Sequence, residues 1–310
     1  MQEPLHGCIR QEQYKSYLVS VTGCLLLVLL YIGSLYIWCS TLPRDHPRVI
    51  KRRCASVILV SAVSPAFVKL WMYWADITVK QQVDKSLWEL MGVCLKGIIP
   101  ASTLPLLLIT FFYLGPLVQS ALDNPDGFAG ELRSALDVQT WRLCMQDAEW
   151  IRNQVVAPVT EELVFRGAML PMMVPCTGTT AAIFIAPLFF GVAHFHHIIE
   201  QLQLGKDRVS AIFLGSGVQF LYTTVFGVFA AFLFTRTGHI VGPILCHSFC
   251  NSQGLPDIGS ALSHPQRSAV LFCYLSGFLL FLVLLFPLTD PFLYGARPVC
   301  SLAASQTLEC

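Results

Sequence analysis

No charged side chain interrupts residues 17–39 of the chain. A helix rising 1.5 Å per residue would carry that run across the roughly 30 Å apolar core of a bilayer. Seven further apolar segments follow, at residues 54–74, 97–119, 155–174, 180–199, 212–234, 240–254 and 269–286. Inside hydrocarbon every backbone polar group must be paired within the protein, which leaves only helices or closed barrels. The runs are too long and too evenly apolar for barrel strands. Charged residues make up 13% of the 310, against about 25% in a soluble globular chain, so lipid must cover much of the surface. The expected fold is all-α and polytopic, with about eight transmembrane helices enclosing a cavity, and it forms one domain over residues 1–310.

Charge fixes an orientation. The loop after the first run carries Arg44, Arg48, Lys51, Arg52 and Arg53 against a single acid, Asp45. That excess of cations in a short loop predicts a cytosolic location and places the amino-terminal tail, with only Arg10 and Lys15, in the lumen. The first run is too long for a signal-peptide core and lacks a small-residue cleavage pattern, so it reads as a retained anchor. Eight spans would return the carboxy terminus to the lumen. Lys69 is expected to snorkel towards the headgroups from the end of its span. Pro100, Pro105 and Pro116 predict kinks or a late start in the third span. Residues 81–96 mix charge with apolar side chains and read as an interfacial helix or a loop. Residues 120–153 hold the turn signal Asp123-Asn124-Pro125-Asp126-Gly127 and two tryptophans, Trp141 and Trp150, which suits a helix at the membrane surface. A net charge of +1 gives no reason to expect nucleic acid. Twelve scattered cysteines, many of them in apolar runs (Cys24, Cys94, Cys246, Cys250, Cys273), show no paired spacing and read as free thiols.

Three apolar segments carry polar groups that need a reason to be there. Pro158-Val159-Thr160-Glu161-Glu162-Leu163-Val164-Phe165-Arg166 places two acids and an arginine in one span. Each costs about 2.5–3.5 kcal/mol at mid-helix on insertion scales, so they must face the bundle interior or water. Glu162 and Arg166 stand at i and i+4 with the acid first, the favourable order for a same-face ion pair. Glu161 lies about 100° further round the helix, free of that pair. A second span brings in His194, one turn after Phe190, and a third brings His247 and Asn251 on one face at i and i+4. A glutamate and an imidazole can share the deprotonation of one water. His247 and Asn251 carry N–H donors of the type that stabilises a tetrahedral oxyanion. No serine or cysteine stands in a nucleophile motif, so water is the expected attacker. His194, His196 and His197 with Glu161 could form a zinc set. However, H-E-x-x-H is absent, and on a helix His196 points about 200° from His194. We therefore expect no metal and no cofactor, and we expect His196 and His197 to be polar groups at a helix end.

In this order, on separate apolar segments, Glu161-Glu162…Arg166, Phe190…His194 and His247…Asn251 resemble the type II CAAX prenyl endopeptidase family. Residues 42–47, 187–199, 238–251 and 287–295 extend the resemblance over nearly the whole chain. It implies an eight-helix intramembrane protease of the endoplasmic reticulum, with its catalytic core at about 150–255. It implies that Glu161 and His194 activate water, that Glu162 supports Arg166, and that His247 with Asn251 forms the oxyanion site. The implied substrate is the C-terminal C-a-a-X of farnesylated or geranylgeranylated proteins such as Ras-type GTPases, cut after the prenylated cysteine. Phe190 is a candidate substrate-lining residue. The other phenylalanines of these spans (Phe184, Phe189, Phe220, Phe226, Phe229, Phe232, Phe234) read mainly as packing or lipid-facing groups. The implied partners are prenylated C-termini and the lipid bilayer. A proton-coupled transporter would use similar residues but calls for inverted repeats, which the sequence does not display. An inert membrane scaffold of the same fold is the other alternative.

Overall fold

Each of the eight apolar segments forms helix over most of its length. The structure, a computed structural model, describes residues 3–38, 40, 42–74, 86–205 and 208–295, with backbone alone for 3–15 and 203–204. Cys39, residues 81–85, the side chains of Arg10 and Lys15 and the carboxy-terminal tail lie outside the described residues. The main helices are α1 (Glu3–Ser34), α2 (Pro47–Trp74), α3 (Ile98–Phe112), α4 (Leu114–Asp123), α5 (residues 148–177), α6 (Thr179–Ala193), α7 (Val209–Thr237), α8 (Val241–Gln253) and α9 (Arg267–Leu288). Among the described residues, five helices are long and apolar enough to cross a membrane, or six if α3 and α4 make one bent span. The other two apolar segments are α5, which carries the charges, and α8, which has only 13 residues.

Local chemistry explains where the helices break. The chain bends by 65° between α3 and α4. Pro116 has no N–H to offer the carbonyl of Phe112, and Gly115 admits Tyr274 of α9 into the elbow, where a Cβ would lie 2.3 Å from its ring. The stretch expected to be one surface helix is broken into two short helices, Pro125–Ser134 and Val138–Cys144, and the first turn of α5, Ala148–Ile151. Each starts on its own cap (Asn124, Asp137 or Asp147), whose side chain accepts from the first-turn N–H groups. Trp141 and Trp150 meet edge to face, 5.8 Å apart.

Lipid tails are as apolar as the helices, so close packing rather than transfer out of water holds such a bundle together. Side chains of α1, α2, α5, α6 and α7 share one core that includes Leu27, Val68, Trp71, Met172 and Phe234. A second cluster joins α3, α7 and α8 through Leu108, Leu233 and Cys246, with α9 packed against it. Small residues allow the closest approaches. A Cβ on Gly227 of α7 would stand 2.7 Å from the Pro187 Cβ of α6, and one on Gly191 would stand 2.2 Å from the Thr224 hydroxyl. Leu275, Phe278, Val283 and Phe286 of α9 are exposed, as lipid-facing groups are, and Lys69 is exposed too. The cysteines described are free thiols, with Cys24 and Cys246 buried.

Candidate active site

Helix α5 is continuous but not regular. Two π turns, Arg152–Val156 and Leu163–Ala168, flank the segment Ala157–Glu162 that carries both glutamates. Such turns recur at functional sites because they re-aim side chains without ending the helix. Pro158 supplies the local cause. It has no N–H, so the carbonyls of Asn153 and Gln154, which a π or an α turn would pair with residue 158, lack a helical donor. Helix α8 meets both. The Asn251 amide donates to the Asn153 carbonyl and the Ser248 hydroxyl to that of Gln154, each at 2.9 Å. The sequence defect in α5 is therefore what anchors α8 beside it.

That anchoring sets His247 against the glutamates. Its Nδ1–H donates to Glu162 Oε1 at 2.8 Å, and the same oxygen accepts from Arg166 Nη1 at 3.0 Å. Its Nε2 lies 3.9 Å from Glu161 Oε2. Glu162 is fully buried and Arg166 1% exposed, so this is a desolvated ion pair with an imidazole as third member. The Arg166 guanidinium carbon also sits 4.4 Å from the ring centre of Phe190 and 5.8 Å from that of Phe226. Cation–π attraction of up to about 2 kcal/mol at such a desolvated site partly offsets the cost of burying the charge. The i, i+4 pairing of Glu162 with Arg166 is thus present, and His247 joins it.

Glu161 and His194 face the other way, into a cavity of about 190 Å³ that Phe190, Phe165, Tyr31, Arg44, Arg53 and Arg152 also line. Phe190 lines this cavity while packing on Arg166, and it joins the two halves of the site. The His194 ring is held by its Nδ1–H, which donates to the Phe190 carbonyl at 2.8 Å and leaves Nε2 with a lone pair. Because the ring takes that carbonyl, the backbone N–H groups of His194 and Phe195 turn to Gly191 and Val192, three residues back. The segment read as one helix therefore tightens at His194 and resumes as His196–Leu204. Asn251 is exposed, and one of its two amide hydrogens is spent on Asn153.

Several contributors had no motif to reveal them. Tyr31 of α1 bonds the Thr160 hydroxyl at 2.8 Å, just before the glutamates. Glu200, the lone acid of the helix His196–Leu204, is buried and accepts from Arg44 at 3.0 Å and Arg53 at 2.6 Å. Candidate ligand atoms of His196, His197 and Glu200 lie within 4.8 Å of one another, a spacing able to hold a cation. Both Glu200 oxygens already serve arginines, and neither Glu161 nor His194 belongs to that group.

An all-helical bundle holding two carboxylates and two imidazoles within its apolar body defines a polytopic membrane protein built around a polar site. The family described as type II CAAX prenyl endopeptidase, Rce1-like, matches residues 146–253, which contain every one of these groups. The human CAAX prenyl protease 2 is 55% identical over 92% of the chain and 85% of its own length. The rat protein of that name is 49% identical over 94% and 88%, and the Arabidopsis thaliana one 33% over 89% and 91%. No solved structure matches the chain. The chain belongs to the type II CAAX prenyl endopeptidase family, and it is a multi-pass membrane endopeptidase.

Proposed function

We propose that the protein removes the C-terminal tripeptide from farnesylated or geranylgeranylated C-a-a-X proteins, Ras-type GTPases among them, at the endoplasmic reticulum membrane, with water as nucleophile. The observation that carries this reading is that Glu161 and His194 line one cavity, with His247 Nε2 3.9 Å from Glu161. The His194 lone pair and the Glu161 carboxylate hold a water between them. Glu161 takes its proton as the oxygen attacks the carbonyl carbon of the prenylated cysteine. The oxyanion receives N–H donation from His247 and from the second amide hydrogen of Asn251. Glu161 then returns the proton to the amine as the C–N bond breaks. The products are the tripeptide and a prenylcysteine carboxylate. Glu162 and Arg166 take no proton in this scheme; they hold His247. The basic segment Arg44–Arg53, whose two end arginines line the cavity, supports a cavity mouth on the cytosolic side, where a protein's carboxy terminus would arrive while its prenyl chain enters from lipid.

The test is release of the tripeptide from a farnesylated C-a-a-X peptide by purified protein in vesicles. We expect cleavage that survives a strong chelator and is abolished by Glu161→Ala. Loss with the chelator, restored by zinc, would make the histidines ligands and overturn the mechanism. No cleavage by folded protein would return the weight to a transporter or an inert scaffold.

A further inference from the structure

The cavity that Glu161 and His194 line is also lined by three arginines, Arg44, Arg53 and Arg152, which the chemistry above does not use. Their charges are not equally balanced. Arg152 is answered by exposed acids, Asp45 at 2.8 Å and Glu149 at 3.3 Å. Arg44 and Arg53 share the one buried carboxylate of Glu200, Arg44 through Nη1 to Oε2 and Arg53 through Nη1 to Oε1. Arg44 also bonds His197 Nδ1 at 3.2 Å and stands 3.6 Å from Asp45, itself held closer by Arg152. The Arg53 guanidinium carbon lies 5.7 Å from the ring centre of Tyr36. Three arginines meet three acids here, but of those acids only Glu200 is buried, so Arg44 and Arg53 share one buried anchor that fixes their orientation at the cavity. A planar fork of donors held this way suits a carboxylate.

Resting on the protease reading above, the geometry points to Arg44 and Arg53, positioned by Glu200, as the site that binds the terminal α-carboxylate of the substrate's three-residue tail. A tail of three extended residues spans roughly 10 Å from the bond to be cut, and the groups proposed for its two ends, Glu161 with His194 and Arg44 with Arg53, line one cavity. The pair would make the enzyme count residues from a free carboxy terminus, so that a C-a-a-X cysteine is cut and an internal one is not. An anionic lipid headgroup offers similar chemistry, so the assay uses vesicles of phosphatidylcholine alone.

The experiment compares kcat/KM of the full chain on a farnesylated C-a-a-X peptide ending in the free acid and on the same peptide ending in a carboxamide. Wild type should prefer the acid by about tenfold or more, the size of one charge-assisted hydrogen bond. Arg53→Gln and, separately, Arg44→Gln should bring that ratio towards one. Either variant leaves Glu200 one arginine partner, and if one fails to fold the other decides. Arg48→Gln, exposed on the first turn of α2 and absent from the cavity wall, should keep the wild-type ratio. Equal hydrolysis of acid and amide by wild type overturns the inference alone. So does a folded Arg53→Gln or Arg44→Gln that keeps the full preference, as a role confined to anionic lipid would require, or that loses both activities in proportion, as a purely structural role would. Failure of wild type to cut either peptide overturns the protease reading and the inference with it.

Discussion

Glu161 and Glu162 are neighbours of the same chemistry, yet removing one charge from each should have opposite effects. Glu162→Gln keeps a carbonyl oxygen for Arg166 and His247 but leaves the 1%-exposed guanidinium without its counter-charge. Breaking a buried pair on one side costs about 3–5 kcal/mol. The Phe190 and Phe226 rings hold the cation equally in both proteins, so their attraction does not reduce this difference. At about 2 °C per kcal/mol for a chain of this size, the thermal midpoint in detergent should fall by about 6–10 °C. Glu161→Gln removes a carboxylate that faces the cavity and pairs, among the described residues, with His247 at 3.9 Å. Its midpoint should stay within about 1 °C of wild type, while hydrolysis falls by about 10²–10⁴-fold, the usual contribution of a general base. The assay pairs a thermal scan of each purified variant with single-turnover hydrolysis of the farnesylated peptide. Equal midpoints for the two variants, or a Glu161→Gln protein that is the less stable of the two, would refute this division of labour.

Ser248→Ala and Asn251→Leu each free one carbonyl of the π turn at 152–156. Each should lower the midpoint by the equivalent of about 1 kcal/mol and slow hydrolysis with little change in KM, as measured by the same scan and by steady-state kinetics. Gly227→Ala would push a methyl group into Pro187 Cβ, 2.7 Å away, and against Arg166 Nη2 at 3.3 Å. Overpacking of about 1–3 kcal/mol should outweigh the gain in helix propensity and lower the midpoint. His194→Phe removes the lone pair facing Glu161 and the bond to the Phe190 carbonyl. We expect loss of hydrolysis in a protein that still elutes as a single species in detergent.

The helical segments and the Glu162–Arg166 pair were legible because they depend on spacing within one helix. The partner of His247 was not. On its own helix it lines up with Asn251, but the two side chains part company, one going to Glu162 and the other to the Asn153 carbonyl. Those contacts reach 85 and 98 positions along the chain, and no periodicity encodes them. The π turns also escaped notice, since an angular reading assumes a regular helix. Pro158 was the available signal, in the carbonyls it leaves without donors. Glu200 carries no signal of its own, and the arginines at 44–53 signal chiefly topology, because nothing in sequence couples a cation at 44 or 53 to an acid at 200.

The brevity of α8 has a consequence for the lipid around it. Thirteen residues rise only about 20 Å, some 10 Å short of an average hydrocarbon core. His247 stands midway along this stub, so the apolar slab must pinch inwards or admit water at its end. A hydrolase needs that water. A thicker bilayer would have to deform further to meet the same helix, at a cost of fractions of a kcal/mol per Å of mismatch. Such an enzyme should work fastest in thin membranes and slow as acyl chains lengthen, which makes bilayer thickness a control on where in the cell it cuts.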